Sequence, residues 1–257
     1  MMFRRFLQRF VLQPWGSIAT ELAIVIIGVF IGMQVTNWNQ AREDRIKGRV
    51  YTARLKNDMR LEAWSIQRLV DYSRQTNRYE RRVLDAMSGD HDLSDEQFLI
   101  SAYRASQYIP NFVYHATYRE LVSSGNLGLI TDHRLLETAT MVYSTPVLDK
   151  IAREAGNSEY RTLFRETIPA AVQQALLDRC GDHPSPLLDY QAIRHTIEYP
   201  CTLGLDAAKI HKAVSLLKAQ TRFVPALRIR YADNQTAVNQ IVVQLKYITR
   251  RLQEYRH

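Results

Sequence analysis

Three textures of hydrophobic and polar positions follow one another along the chain. The first is an almost unbroken apolar run, ELAIVIIGVFIGMQVTNW, from Glu21 to Trp38. After Glu21 the next charged residue is Arg42, which leaves twenty uncharged residues between them. A membrane-crossing helix needs about 20 mainly apolar residues, and the run reaches that length by including its polar flanks. Trp15 and Trp38 lie 23 positions apart, about 34 Å at helical rise, and are spaced as aromatic anchors at two membrane interfaces. The pattern predicts a transmembrane helix over residues 15–39, after a short basic tail over 1–14 that carries Arg4, Arg5 and Arg9. A cleaved signal peptide fits less well, because no small-residue cleavage site closes the run and Trp38-Asn39 is poor cleavage sequence. A buried helix of a soluble protein is the blander alternative.

The second texture runs from Gln40 to about Met87, without proline and with one glycine, Gly48. Apolar side chains recur at Ile46, Val50, Ala53, Met59, Ala63, Ile66, Leu69, Val70, Val83 and Leu84, between many arginines and glutamates. This predicts a long amphipathic helix over 40–88, able to run on from the first. Its repeat is too irregular for a coiled coil. Its charged side reads as a solvated face, with contact to anionic headgroups the sharper alternative.

Shorter helices fill the third region, residues 89–257. Ser94 with Gln97 three positions later forms a capping box, so a helix is expected from there to about Gln107, where YIPNF interrupts it. Further helices are expected over Val113–Ser123 and, capped by Thr131, from Asp132 to about Tyr143. Helical texture then continues from Pro146 through Leu177, with breaks near Gly156 or Pro169, and returns over Asp206–Gln220 and Val224–Tyr255. Few segments alternate as strands do. The fold class is all-α: one N-terminal transmembrane helix, a long amphipathic helix and a helical domain over 89–257.

Charge and cysteine content refine this outline. Four positive groups precede the apolar run (Arg4, Arg5, Arg9 and the terminal amine) and four follow closely (Arg42, Arg45, Lys47 and Arg49), so the positive-inside rule is nearly balanced. The short basic tail places the N-terminus in the cytoplasm and the main domain in the periplasm. Cys180 and Cys201 bracket a turn-rich excursion; a disulfide there needs an oxidising compartment, and two unrelated buried thiols are the other reading. A formal net charge of +8 permits contact with anionic partners, but no nucleic-acid reader motif is present and no specific nucleic acid is expected.

Glu21, Gly28 and Asn37-Trp38-Asn39 form an E-(aliphatic)-G-(aliphatic)-NWN order, and YRELVSSGNLGLI follows from Tyr118 to Ile130. Together these resemble a family of bacterial single-pass membrane proteins known as a domain of unknown function, with Gln34 interrupting the apolar run. The resemblance implies a bacterial envelope protein and supplies no catalytic assignment.

Candidate chemistry is sparse. Gly28-x-x-x-Gly32 can admit a neighbouring helix at close range. At 100° per residue Glu21, Gly28, Gly32 and Asn39 fall within about 20° of one line, flanked by Val25 and Val35. The carboxylate and the small-residue groove share a face, which points to helix association, with an interfacial carboxylate or an ion pathway as the alternatives. HATYRE lacks the H-E-x-x-H pattern, SSGNLG lacks the lysine of a phosphate loop, and no nucleophile elbow occurs. Asp90, His91 and Asp92 read as a solvated turn, and His183 and His195 lack zinc spacing with the cysteines. No catalytic residue, metal or cofactor is assigned. Tyr103, Tyr108, Tyr114 and Tyr118 surround the central turn, as a partner groove or as core packing. The expected role is a structural or accessory subunit of an inner-membrane assembly, in contact with lipid and with another membrane protein or further copies of itself. A transport component using Glu21 comes second, and a membrane-anchored enzyme third.

Overall fold

The computed structural model describes residues 15–256; the basic tail 1–14 and His257 lie outside the described residues, as do the side chains of Trp15, Ser17 and Asp149. Every regular element among the described residues is helical. Helix α1 spans Trp15–Ser88, 74 residues without a proline. It stops where Gly89 adopts φ 85°, the left-handed conformation that ends helices and that glycine enters without a Cβ penalty.

The chain divides into two compact units. One holds α1 through Thr52 together with Gly128–Thr131. Its only glycine in the charged part of α1 has a steric reason: a Cβ on Gly48 would sit 2.6 Å from the Leu129 carbonyl oxygen.

The other unit holds Ala53–Leu127 and Asp132–His257. Around the second part of α1 it sets α2 (Asp95–Ala105), α3 (Ala116–Ser123), α4 (His133–Tyr143), α5 (Val147–Gly156), α6 (Glu159–Thr167) and α7 (Ala170–Cys180). There follow α8 (Ala207–Lys218), α9 (Phe223–Asn239), a π-helical turn at Gln240–Gln244, and α10 (Lys246–Gln253). Helix α2 packs on α8 and α6 on α9, and their facing apolar side chains make the core. Phe223 is its centre, with ring centroids 6.2 Å from Phe98 and 5.6 Å from Tyr160. Full burial of such rings stabilises by about 1.5–3 kcal/mol each.

Local signals hold where the partner is local. Ser94 caps α2 with Gln97 closing the box in return. Other boundaries move. Helix α3 starts at Ala116 rather than Val113, because α1 supplies carboxylates to its entry: the Tyr114 N–H donates to Glu62 at 3.0 Å and the Thr117 N–H to Asp58 at 3.1 Å. The second satisfies one of the first-turn N–H groups that an α-helix leaves without partners, and the first fixes the chain just before the cap residue His115. Asp132, not Thr131, caps α4, its side chain accepting from the Leu135 N–H at 3.0 Å. Helix α7 runs past Leu177 to Cys180.

Residues 181–203, almost without regular structure, are held by side chains of α1. The Tyr72 hydroxyl donates to Asp182 at 2.8 Å. Gln75 donates to the Ile193 carbonyl at 2.8 Å and accepts from the Ile197 N–H at 3.2 Å. Arg78 binds Glu198 through two bonds of 2.5 and 2.6 Å. The solvated face expected of α1 is therefore partly interior: Glu62, Gln75, Thr76 and Glu80 are all buried.

Candidate functional site

The apolar run lies in α1 with its side chains outward. Leu22, Ile24, Val25, Ile26, Ile27, Val29, Phe30, Ile31, Met33 and Val35 are each more than half exposed. Four consecutive exposed residues, 24–27, cover every direction around a helix that turns 100° per residue. Among the described residues no core of the same chain covers a face of this segment, which sets it apart from a buried helix of a globular domain. Trp38 is likewise exposed.

Within this segment the spacing of Glu21, Gly28, Gly32 and Asn39 places them along one line of the helix, with Val25 and Val35 to either side. A Cβ added to Gly28 or Gly32 would meet nothing within 4 Å. The Thr36 hydroxyl donates to the Gly32 carbonyl at 3.0 Å, so this hydroxyl is satisfied within its own helix. The result is a shallow groove of backbone beside a carboxylate, a geometry that lets a second helix approach closely.

The tyrosines do not form one surface. Tyr103 is buried against Phe164, with centroids 6.2 Å apart, and belongs to the core; burial pushes its hydroxyl up to about 12. Tyr108 lies on Gly156, where a Cβ would come within 2.9 Å of the ring, and beneath the Arg161 guanidinium at 4.7 Å. Tyr114 contributes its backbone to Glu62 and to the Tyr143 hydroxyl. Tyr118 packs on Tyr143 at 5.0 Å and lines a different cavity from Tyr108.

The sequence gives no warning of a second feature, a cavity of about 400 Å³ lined by Leu69, Tyr72, Ile109 and Ile151 together with polar residues that include Arg230 and Asn234. Arg230 is 5 % exposed and its Nε lies 3.1 Å from Glu80, which is 0 % exposed. The guanidinium also donates to the carbonyls of Ala105, Gln107 and Ala155 and to the Ser158 hydroxyl, at 2.5 to 3.0 Å. Burial raises the Glu80 carboxyl to about 7, against the opposing pull of Arg230, Asn234 and Asn77. These groups are engaged with one another. Among the described residues no three His, Cys, Asp or Glu side chains converge as a metal site. Cys180 and Cys201 are joined by a disulfide.

Fold and site together define a class: a helical protein with, among the described residues, one helix long and apolar enough to cross a membrane. No protein-family model matches the chain, and comparison with curated proteins and with solved structures likewise yields no match.

Proposed function

We propose that the chain is an accessory subunit of a bacterial inner-membrane assembly, anchored by residues 15–39 and presenting its helical region on the periplasmic side. The observation that carries this reading is the outward apolar segment of α1 with a glycine groove and a carboxylate on one face. An apolar surface on all sides of a helix needs lipid or other helices around it. A groove on one side selects helices there, where small residues allow close backbone approach. Glu21 near one end adds a polar contact whose cost in hydrocarbon falls when a partner helix supplies a donor. The Cys180–Cys201 bridge supports an oxidising compartment for the larger region. The N-terminal resemblance to bacterial single-pass membrane proteins points the same way. The partner is a second membrane protein or a second copy of this chain.

Gly28→Leu together with Gly32→Leu tests it. Native nanodiscs carrying the double variant are expected to hold a smaller assembly, while membrane insertion persists because the substitution adds apolar surface. An assembly of unchanged size would overturn the proposal. The second reading, a transport component in which Glu21 handles the coupling ion, rests on that lone carboxylate in the apolar run.

A further inference from the structure

The Cys180–Cys201 bridge closes a loop that is already held without it. Tyr72, Gln75 and Arg78 of α1 bind Asp182, Ile193, Ile197 and Glu198 directly. Beside the bridge lies Arg104 of α2, 3 % exposed. Its guanidinium sits over the rings of Tyr79 and Tyr199, at 5.2 and 4.5 Å. One Nη donates to the Tyr79 hydroxyl at 2.8 Å, and the other points at Cys201 Sγ from 3.2 Å. Its Nε is buried without a partner. Among the described residues no carboxylate comes within 4.0 Å of Arg104, although twelve other ion pairs do form. Asp182 feels Arg104 together with Arg68 and Arg161, yet its carboxylate bonds the Tyr72 hydroxyl.

A buried cation without an anion is costly, and a disulfide sulfur is only a weak acceptor. Reduction would turn that sulfur into the missing anion at hydrogen-bonding distance. From this geometry we propose that Cys180–Cys201 is an exchange site for low-molecular-weight thiols, entered at Cys201 and biased toward its reduced form by Arg104. Entry at Cys201 follows from exposure, since Cys180 is fully buried and Cys201 only partly.

The chemistry balances with the thiol as reductant. A small thiol gives its proton to water, and its thiolate attacks Cys201 Sγ. The Cys180–Cys201 bond breaks, its electron pair leaves on Cys180 Sγ, and that sulfur takes up a proton. A second small thiolate then attacks the small-molecule sulfur of the mixed disulfide. The small disulfide departs, and the Cys201 thiolate remains against Arg104. Two small thiols are oxidised to one disulfide as the protein bridge becomes the Cys180 thiol and the Cys201 thiolate, with one proton left in water. Stabilising the reduced side in this way raises the reduction potential.

The test equilibrates the full chain in nanodiscs with glutathione buffers, followed by acid quench, alkylation and peptide mass analysis. A glutathione adduct is expected on Cys201, in protein that keeps its helical circular dichroism when reduced; an adduct confined to Cys180, or loss of fold on reduction, overturns the proposal. Arg104→Met is expected to make the bridge about tenfold harder to reduce, and an unchanged or easier reduction refutes the role of Arg104. A second variant covers misfolding of that one. In Cys180→Ala, alkylation of the remaining Cys201 by iodoacetamide is expected to have its pH midpoint below that of glutathione measured alongside. A midpoint equal to or above glutathione's overturns the argument.

Discussion

Arg230→Met is the substitution whose cost can be worked out furthest. The guanidinium serves groups from four elements at once: Glu80 of α1, the Ala105 and Gln107 carbonyls in and just beyond the last turn of α2, Ala155 near the end of α5, and Ser158 before α6. Helix ends leave carbonyls unpaired and carry partial negative charge, so a cation placed there satisfies both. Methionine fills part of the volume and supplies none of the donors. Leaving Glu80 buried without its cation, bonded only by the Asn77 and Asn234 amides, costs about 3–5 kcal/mol, and each carbonyl shut away from water adds about 1 kcal/mol. Against a typical total of about 5–15 kcal/mol, that is a large share. Urea unfolding read by Trp64, which is 3 % exposed, isolates this region once Trp15 and Trp38 are replaced by phenylalanine.

The pH dependence distinguishes the carboxylate from the carbonyls. Burial raises Glu80 from 4.5 to about 7, so folded protein keeps a proton that unfolded chain has already released. Its contribution is therefore full below the unfolded value and is lost as pH rises through about 7, a fall of about 3 kcal/mol. Arg230 is the largest influence opposing that rise. Removing it moves Glu80 higher and carries the loss to higher pH. Between pH 7 and 8 the variant is expected to fall behind wild type by up to about 1.4 kcal/mol more. Adding Glu80→Gln to Arg230→Met should abolish that slope and recover part of the stability. A deficit that is flat with pH and untouched by Glu80→Gln would refute the reasoning and leave the carbonyls as the whole cost.

Three further outcomes are expected. Glu21→Gln weakens assembly in a membrane cross-linking assay and leaves proton-driven flux in proteoliposomes unchanged; loss of flux with intact assembly would favour the transport reading. Gly48→Ala gains about 1 kcal/mol of helix propensity but drives a methyl toward the Leu129 carbonyl, so amide exchange at 128–131 is expected to accelerate; slower exchange would mean the approach is not tight. Ser94→Ala removes one half of the α2 capping box and should cost about 1 kcal/mol in urea unfolding, while a neutral result would show that the core alone fixes the start of α2.

What could be read from sequence divides by the distance of the partner. Ser94 meets Gln97 three residues away, and the cap is legible. Asp132 stands next to Thr131, both good caps, and only the chain's course into α4 decides between them. The start of α3 depends on Asp58 and Glu62, some fifty to sixty residues earlier, and no local pattern carries that. Gly48 stands out as the lone glycine in the charged part of α1, yet its neighbour at Leu129 is visible only in three dimensions. Arg230 looks like any arginine in LRIRYADN. Cys180 and Cys201 present themselves as a candidate pair, whereas Arg104 beside them does not.

The two parts of α1 use polar groups differently: the apolar run has almost none, and the later part buries several that its pattern presents as solvated. Over 22–33 the backbone hydrogen bonds within the helix, and the side chains are apolar and exposed in every direction. Over 58–80 the helix faces segments that lack regular structure, such as 106–115 and 181–203. Those segments carry backbone N–H and C=O groups that need partners when buried. Glu62, Gln75 and Tyr79 supply them at Tyr114, Ile193 and Ile197, and Asp58 does the same for Thr117 in the first turn of α3. Carboxylates and amides that look like a solvated face thus take the place of the neighbouring strand that irregular chain would otherwise require. On this reasoning a polar residue of that stretch is costly to replace where it bonds backbone and tolerant where it bonds water. Gln75, which serves a carbonyl and an N–H at once, should be the least tolerant of the amides.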